Sequence, residues 1–532
     1  MLEKRVNNIS FSLDQSHEPQ EVKSRVNKHE KESKTKREVL GEVFREFCDK
    51  TSFHGLQFVG NKDLHIAERC FWVLGFILAT LVAVYYIDIV YTKWQESPVI
   101  VSVGSQATKM SDIPFPAVTI CSMNQVRKSV AEEILKGTSS KDKKYAKLIN
   151  DACNPRKGKF NLTIGTVTDD AVDWMVMRNF MEKVSQPCQD MLVACFYAGQ
   201  RESCFDLFNP QLTDDGLCCT FNSVHRNLLF RNPRDQSSMN VTFPYPSVDW
   251  TPETGFPPRL YNSTPWIPQG PGAKLGLSIL LDAERDEFYC SLASSIGFKL
   301  MLHSPVETPM IAQYGHLIGP GMEYRIIATP KITNSTRSLR FIKEKDRQCA
   351  FSSDRYLKYF RIYTQKNCVL ECRANYTLQV CKCVPHYLPK DVHTQQCGES
   401  DEDCVSYASD LLDIDLVEGS FLELPEAWPE PKCECLPACT ELGYTGIMSA
   451  SELNAHFAAS KGYFDGREYN DSEVSRNMAL VTIFFSQTQF TSYYRTELIG
   501  FGDFLGSSIY ERRAEGVVIF VGPGGFVIGA PW

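Results

Sequence analysis

The 532-residue sequence predicts a membrane protein that has a transmembrane helix and a large disulfide-rich α+β extracellular domain. Three observations predict this fold class. An uncharged apolar run extends from Cys70 to Ile87, basic residues precede it, and all cysteines except Cys48 and Cys70 follow it. Hydrophobic residues at 43% and charged residues at 23% exclude a disordered chain. The net charge of −8 argues against a nucleic-acid binder, which would normally carry a basic patch.

Residues 1–65 are predicted to form a cytoplasmic tail. The first 38 residues are polar and rich in Lys, Glu and Ser, which is typical of a disordered segment. A short amphipathic helix is predicted next, with apolar residues at the spacing i, i+3, i+4, i+7, namely Leu40, Val43, Phe44 and Phe47. Three alternatives are open for this helix: it lies on the inner membrane surface, it packs against a partner helix, or it has no role.

Residues 66–91 are predicted to form the first transmembrane helix. The uncharged run alone is about 27 Å long as a helix, close to a hydrocarbon core of roughly 30 Å. Thirteen Lys and Arg residues occur in residues 1–69, whereas only Lys93 and Lys109 occur in the thirty residues after Tyr91. This asymmetry places the N-terminus in the cytoplasm and everything after the helix outside.

Residues 92–495 are predicted to form the extracellular cysteine-rich domain. Alternation and β-branched residues predict strands at 98–103, 114–121, 275–281, 324–329 and 481–485. Residues 129–208 and 354–376 are predicted to be mainly helical. Strands at both ends with helices between them predict an α+β domain that is closed near the membrane by its first and last strands.

Glycosylation sequons support the same orientation. Six N-x-[ST] sequons lie on the predicted outer side, at Asn161, Asn240, Asn262, Asn334, Asn375 and Asn470. A seventh, at Asn8, lies on the inner side, where it would stay unmodified.

The cysteines after residue 348 form the strongest local pattern. They run Cys368-x3-Cys372-x8-Cys381-x-Cys383, and later Cys433-x-Cys435-x3-Cys439. Zinc would normally require C-x(2–4)-C pairs, so the C-x-C pairs and the extracellular location favour disulfides. Spacing alone leaves the connectivity open.

Five motifs together resemble the epithelial sodium channel/degenerin family. They are FHGLQF, IPFPAVTIC, GLCCTFN at 216–222, YTQKNCVLECRANYTLQVCKCVP at 363–385 and CECLPACTELGY at 433–444. Their order is similar to that of the acid-sensing channels, and most of all to the insect pickpocket branch, over about residues 40–505. The resemblance implies a trimer whose subunits each have two transmembrane helices and an acid-sensing-channel-like ectodomain likened to a clenched hand.

The resemblance also implies site residues. His54 and Gly55 match the family's gating motif, and Gly permits a backbone turn that other residues resist. The family's disulfide ladder implies the pairs Cys121–Cys218, Cys195–Cys204, Cys349–Cys439, Cys368–Cys435, Cys372–Cys433, Cys381–Cys404 and Cys383–Cys397. Four cysteines, Cys153, Cys188, Cys219 and Cys290, remain without an assigned partner.

Residues 496–532 depart from the family pattern. The stretch TSYYRTELIGFGDFL resembles the lead-in to a second span, and Gly506 and Ser508 formally fit a G-x-S selectivity filter. Charged residues then follow where the family has a long apolar helix, and charges are costly in a membrane. We therefore expect a truncated or aberrant C-terminus whose second transmembrane segment is missing or replaced.

The leading interpretation is a subunit of a trimeric, voltage-independent, amiloride-sensitive-type sodium channel of the plasma membrane, gated by an extracellular stimulus. Its expected partners are related subunits in a homo- or heterotrimer, the lipid membrane, and an extracellular ligand or mechanical tether. Sodium is the expected permeant ion, with no cofactor, no metal and no nucleic acid. The alternative is a non-conducting subunit that modulates others. An enzyme has little support, because the sequence has no G-x-S-x-G, H-E-x-x-H or P-loop motif and no catalytic residues stand out.

Overall fold

The structure is a computed structural model, and it divides into two compact units with the boundary after Thr92. The residues that it describes are 36–51, 53, 55–61, 63–96, 98–153, 174–233, 244–257, 263–398, 401–413, 428–464 and 469–498.

The described helices are, in chain order, α1 Lys36–Lys50, α2 Leu56–Gly60, α3 Ile66–Glu96, α4 Lys128–Lys136, α5 Ser140–Cys153, α6 Trp174–Val184, α7 Cys188–Met191, α8 Cys204–Leu207, α9 Arg226–Leu229, α10 Ile311–Tyr314, α11 Glu344–Arg347, α12 Gln365–Cys381, α13 Glu402–Asp413, α14 Ala455–Ser460 and α15 Asp471–Asn477.

The described strands are β1 Val99–Val103, β2 Thr108–Lys109, β3 Ala117–Ser122, β4 Val126–Arg127, β5 Leu192–Tyr197, β6 Gln200–Glu202, β7 Phe208–Thr213, β8 Gly216–Phe221, β9 Leu277–Asp282, β10 Phe288–Cys290, β11 Phe298–His303, β12 His316–Ile318, β13 Met322–Ser335, β14 Glu441–Glu452, β15 Met478–Phe485, β16 Gln489–Phe490 and β17 Ser492–Glu497.

The first unit consists of α1, α2 and most of α3. Within the part of the chain that the structure describes, α3 holds the one helix window that is long and apolar enough to cross a membrane, Ile66–Ile89. This window has a mean hydropathy of 2.2 and no buried residues. The predicted amphipathic helix is also present, as α1, and its four apolar residues are exposed.

The second unit is built on two main β-sheets. The larger has eight strands in the order β1-β17-β13-β15-β9-β5-β6, with β14 also paired to β13. The smaller has five strands in the order β12-β11-β3-β8-β7. These strands, with helices inserted between them, confirm the predicted α+β domain.

Aromatic side chains join the two sheets. Phe115 lies 5.9 Å from Phe221 of β8 and 5.6 Å from Phe485 of β15, measured between ring centroids. All three are at most 1% exposed. Edge-to-face pairs of this kind add roughly 0.5–1.5 kcal/mol each beyond the burial of their area. The core of the second unit is therefore centred between the sheets.

Two of the predicted helical ranges are partly wrong. Residues 192–202 form the hairpin β5–β6, because LVACFY is rich in β-branched and aromatic residues and pairs with β9. Residues 354–364 precede α12 without being helical. There the carboxylate of Glu371 accepts hydrogen bonds from the backbone amides of Lys358 and Tyr359, at 2.7 and 3.0 Å, in place of helical partners. The helix begins only after Thr364, whose hydroxyl accepts from the amide of Asn367.

Candidate functional site

Helix α12 is tied to a later segment of the chain by two disulfides. Cys368 and Cys372 lie one turn apart and bond to Cys435 and Cys433 respectively. The Cα atoms of the two pairs are 5.7 and 5.8 Å apart. Because the pairs run in opposite chain directions, the segment 433–435 lies antiparallel to this face of the helix. Two covalent staples over one helical turn prevent the helix from sliding along the segment.

The described residues contain nine disulfides in all, and these two sequence-implied pairs are among them. The other five implied pairs are also present: Cys121–Cys218, Cys195–Cys204, Cys349–Cys439, Cys381–Cys404 and Cys383–Cys397. The four cysteines that the sequence left unassigned form Cys153–Cys290 and Cys188–Cys219. No spacing signal points to these two pairs, since sequence separations of 137 and 31 leave many partners open. They depend on the tertiary fold.

The N-terminal end of α12 is held by polar contacts. The ammonium of Lys366 lies 2.9 Å from the carboxylate of Glu307, which is 4% exposed. Burial raises the pKa of Glu307, and the nearby Lys366 lowers it. The side chain of Asn367 donates to the carbonyl of Val306 at 3.0 Å. The loop before α10 is thus fastened to the first turn of the stapled helix.

The cysteine-bearing segment is connected to the last described strand by Arg495. Its guanidinium donates to the carbonyl of Ala438 at 2.9 Å. Burial lowers the pKa of Arg495, and nearby Glu441 opposes this effect. The next residue after Ala438 is Cys439, which is bonded to Cys349. A displacement of this segment would therefore be transmitted to β17 through the hydrogen bond between Arg495 and Ala438.

Strand β17 is paired with β1, which begins three residues after the end of α3. The antiparallel register runs from Val99 opposite Glu497 to Val103 opposite Tyr493. On its other side β17 lies parallel to β13, with Ile332 opposite Ser492. The strand that follows the candidate span and the last described strand are therefore one hydrogen-bonded ribbon.

The candidate gating motif is described in part. Gly55 has φ 86°, a left-handed conformation that favours glycine, and it begins α2. A Cβ at this position would lie 3.1 Å from Cε3 of Trp72. The ring of Phe58 stacks on the same Trp72 at 4.6 Å between centroids. His54, the other residue of the motif, lies outside the described residues, as do Gly506 and Ser508.

The sequence profile of one family, the amiloride-sensitive sodium channel family, matches residues 47–508. The chain belongs to this family. The family consists of ion channels rather than enzymes, and the family resemblance stated from the motifs is confirmed.

Three relatives illustrate the similarity. Pickpocket protein 28 of Drosophila melanogaster is 33% identical over 476 residues, which cover 87% of this chain and 74% of the relative. Sodium channel protein Nach of Drosophila ananassae is 21% identical over 447 residues, covering 81% and 77%. Acid-sensing ion channel 1 of Gallus gallus is 23% identical over 519 residues, covering 87% and 81%. These relatives do not favour the alternative of a non-conducting modulator.

Three of the sequons of this channel-family chain lie within the described residues. Asn334 is half-buried in β13, opposite Tyr494 of β17. Asn375 is exposed on α12. Asn470 is exposed, and its side-chain oxygen caps α15 by accepting from the amide of Glu473 at 2.7 Å. Asn161, Asn240 and Asn262 lie outside the described residues.

A buried ionic cluster of this family member was not predicted from the sequence. Asp214 accepts hydrogen bonds from the amides of Ile311 and Ala312 at 2.8 and 3.0 Å. Burial raises the pKa of Asp214 to about 6, against the lowering effect of these hydrogen bonds. Asp215 beside it pairs with Lys299 at 2.6 Å. The only sequence signal was a pair of adjacent aspartates in the turn between β7 and β8, which normally indicates an exposed turn.

A metal site at the cysteines is excluded by their chemistry. Among the described residues, one group of candidate ligands lies close together, formed by Cys383, Cys397 and Asp401. Cys383 and Cys397 are bonded to each other, and a metal needs thiolates rather than disulfide sulfurs. Disulfides, and not zinc, therefore account for the C-x-C pattern.

Proposed function

We propose that this chain is a subunit of a trimeric, voltage-independent, amiloride-sensitive-type sodium channel of the plasma membrane. An extracellular stimulus that acts on the cysteine-rich domain gates it. Sodium is the permeant ion, and no cofactor takes part. The family membership and the pickpocket and acid-sensing relatives support this proposal.

The proposed orientation has the N-terminus in the cytoplasm and the second unit outside. The thirteen Lys and Arg residues in the first 69 positions support it through the positive-inside rule. The nine disulfides of the second unit support it as well, since such bonds persist in an oxidising compartment.

The observation that carries the proposal is the continuous connection from α12 to β1. A movement of the stapled helix passes through Cys368–Cys435 and Cys372–Cys433 into the segment that ends at Cys439. Arg495 then transmits this movement to β17. The pairing of β17 with β1 transmits it to β1, which is the strand that follows the candidate span. Such a network of covalent and hydrogen bonds couples two distant parts of the protein only if the network has two discrete structural arrangements.

Gating and selectivity are assigned to residues of the motifs. His54 and Gly55 set the open probability, because the left-handed turn at Gly55 fixes how the tail packs on Trp72. Gly506 and Ser508 are assigned to the selectivity filter, where oxygen atoms replace the water of the ion. Related subunits in a homo- or heterotrimer, lipid, and a ligand or mechanical tether are the partners.

Recording from cells that express the chain at their surface tests the proposal. Because the stimulus is unidentified, we would also record a Gly55→Ala variant, which alters the turn of the gating motif without requiring the stimulus. We expect an inward current that amiloride blocks and that disappears when an impermeant organic cation replaces sodium. Cross-linking should stop at three copies. Surface expression without such a current, both alone and with a pickpocket subunit, would overturn the proposal.

A further inference from the structure

A groove of about 330 Å³ runs along the exposed side of α12. One wall is the helix, with Cys368, Cys372 and Asn375, and the opposite wall is the segment that holds Glu430 and Lys432. The disulfides Cys368–Cys435 and Cys372–Cys433 therefore border the groove. This volume is at the lower end of the range found for small-molecule sites, about 300–1,000 Å³.

Asn375 places a modifiable amide inside this groove. It lies three residues after Cys372 and seven after Cys368, so all three share one helical face. Its side chain is exposed and belongs to the sequon Asn375-Tyr376-Thr377. An N-linked chain at this position would begin beside the two disulfides.

We propose that Asn375 carries an N-linked glycan whose first sugars fill the groove and shield the disulfides Cys368–Cys435 and Cys372–Cys433 from reductants. The proposal rests on the proposed extracellular orientation of the second unit. The stapled helix would then keep its covalent links in conditions that reduce unshielded bonds.

The lining of the groove suits a neutral sugar. Glu430 and Glu434 supply carboxylates that accept hydrogen bonds from hydroxyl groups, and Lys432 supplies a donor. Leu357 gives the apolar surface against which the carbon face of a sugar ring packs. Donors, acceptors and an apolar surface are thus present together within one groove.

The chemistry requires a co-reactant, an oligosaccharide linked to a lipid diphosphate. The Nδ2 atom of Asn375 forms a bond to the anomeric carbon of the first sugar, and the bond from that carbon to the diphosphate oxygen breaks. The amide loses one proton, and the lipid diphosphate leaves with the electron pair. Thr377 is 1% exposed in the folded chain, so the transfer takes place before α12 packs.

The other two described sequons provide contrasts. Asn334 is half-buried in β13 opposite Tyr494 of β17, so it is less accessible to a sugar than Asn375. Asn470 is exposed, and its capping bond uses the side-chain oxygen, which leaves Nδ2 for a sugar. Asn470 is therefore the matched site, since its sequon would be glycosylated under the same topology but does not line the groove.

The experiment compares glycan occupancy with the rate of disulfide reduction in the full chain from eukaryotic cells. Peptide mass spectrometry after enzymatic deglycosylation reports occupancy at Asn375 and Asn470. Partial reduction followed by alkylation reports how fast Cys372–Cys433 opens. In the Asn375→Gln variant, and in enzymatically deglycosylated wild type, we expect Cys372–Cys433 to be reduced about fivefold faster. The reason is that the rate of thiol–disulfide exchange depends on the access of the reductant to the disulfide. Thr377→Ser, which keeps the sequon, and Asn470→Gln should keep the wild-type rate.

The outcomes separate this proposal from the orientation on which it rests. A bare Asn375 with an occupied Asn470 would overturn the proposal alone. An occupied Asn375 whose removal leaves the reduction rate unchanged would overturn the shielding. If all six sequons after residue 91 are bare in surface-expressed protein, the extracellular orientation fails together with this proposal.

Discussion

The guanidinium of Arg495 donates a 2.9 Å hydrogen bond to the carbonyl oxygen of Ala438. This contact joins strand β17 to the segment that carries three disulfide-bonded cysteines, Cys433, Cys435 and Cys439. Among the described residues no backbone hydrogen bond joins the two elements directly, so this side chain provides a direct contact between them. Hydrogen bonds from charged groups contribute about 1.5–3 kcal/mol each when they are partly buried.

Arg495→Gln should weaken the coupling between the cysteine-bearing segment 433–439 and β17. We expect a larger stimulus for half-maximal current and a loss of roughly 1–2 kcal/mol in unfolding free energy, because the Ala438 carbonyl loses a charged donor. Concentration–response recordings and thermal unfolding measure the two effects. Arg325→Gln is the control, since Arg325 is more than half exposed in the same sheet. Equal responses from the two variants would contradict the coupling role.

Gly55→Ala should change the open probability of the channel. The φ of 86° disfavours alanine, and its Cβ would press on Trp72 at 3.1 Å. Gly75→Ala in α3 is the matched control, because a Cβ there meets nothing within 4 Å. Single-channel recording should show a changed open probability for the first variant and the wild-type value for the second. Two identical records would argue for an ordinary turn at Gly55.

Removing the disulfide Cys372–Cys433 should destabilise the second unit. The double variant Cys372→Ser/Cys433→Ser loses about 2–4 kcal/mol in the chain-entropy account of cross-links. Differential scanning fluorimetry in detergent would report a lower unfolding midpoint. Cys70→Ser serves as the control, since Cys70 is a free cysteine. An unchanged midpoint in the double variant would show that the second staple, Cys368–Cys435, holds α12 without help.

Lys366→Met should cost more stability than Glu307→Gln. The first change leaves the carboxylate of Glu307 buried without its ammonium partner, whereas the second leaves a neutral amide. Because Lys366 is about half exposed, the expected loss is roughly 1–3 kcal/mol rather than the full value for a buried pair. The double variant should recover part of this loss. A double variant as unstable as the sum of the two single variants would contradict the pairing.

The stability of the second unit should rise as the pH falls through about 6. Folding raises the pKa of Asp214 from 3.8 to about 6, so the folded chain binds this proton more tightly than the unfolded chain. The contribution of protonated Asp214 is therefore present at lower pH and is lost as the pH rises through about 6. Unfolding midpoints of wild type and Asp214→Asn should diverge between pH 7 and pH 4 in favour of wild type. Parallel curves, as expected for Asp286→Asn at an exposed carboxylate, would contradict this.

Local sequence patterns predicted those helices and strands whose own residues specify their secondary structure. The apolar run from Cys70 to Ile87 predicted α3, and alternating apolar residues predicted β9, β13 and β15. The hairpin β5–β6 was missed because the long range 129–208 that contains it has a mainly helical charge pattern, while β9 supplies the pairing partner from more than eighty residues away. The segment before α12 was missed because the carboxylate of Glu371, a residue of the next element, satisfies its backbone amides.

The features of the candidate site can likewise be divided into those that the sequence predicted and those that it did not. The motifs of residues 363–385 and 433–444 carried the family resemblance, and with it the pairs of Cys368 and Cys372, because cysteine order is a property of the chain. The link from Arg495 to Ala438 and the cluster at Asp214 have no such signal. They join residues 57 and 97 positions apart, through contacts to backbone atoms that every residue possesses.

By itself the sequence determined the candidate membrane helix, the cysteine-rich α+β domain and the family, since these follow from hydropathy, cysteine placement and the order of motifs. Only the tertiary structure decided the partners of Cys153 and Cys188, the pairing of β1 with β17, and the groove beside Asn375. The physical reason is the range of the interactions. Hydropathy and helical spacing act within one element, whereas cross-links, sheet order and cavities arise where distant elements pack.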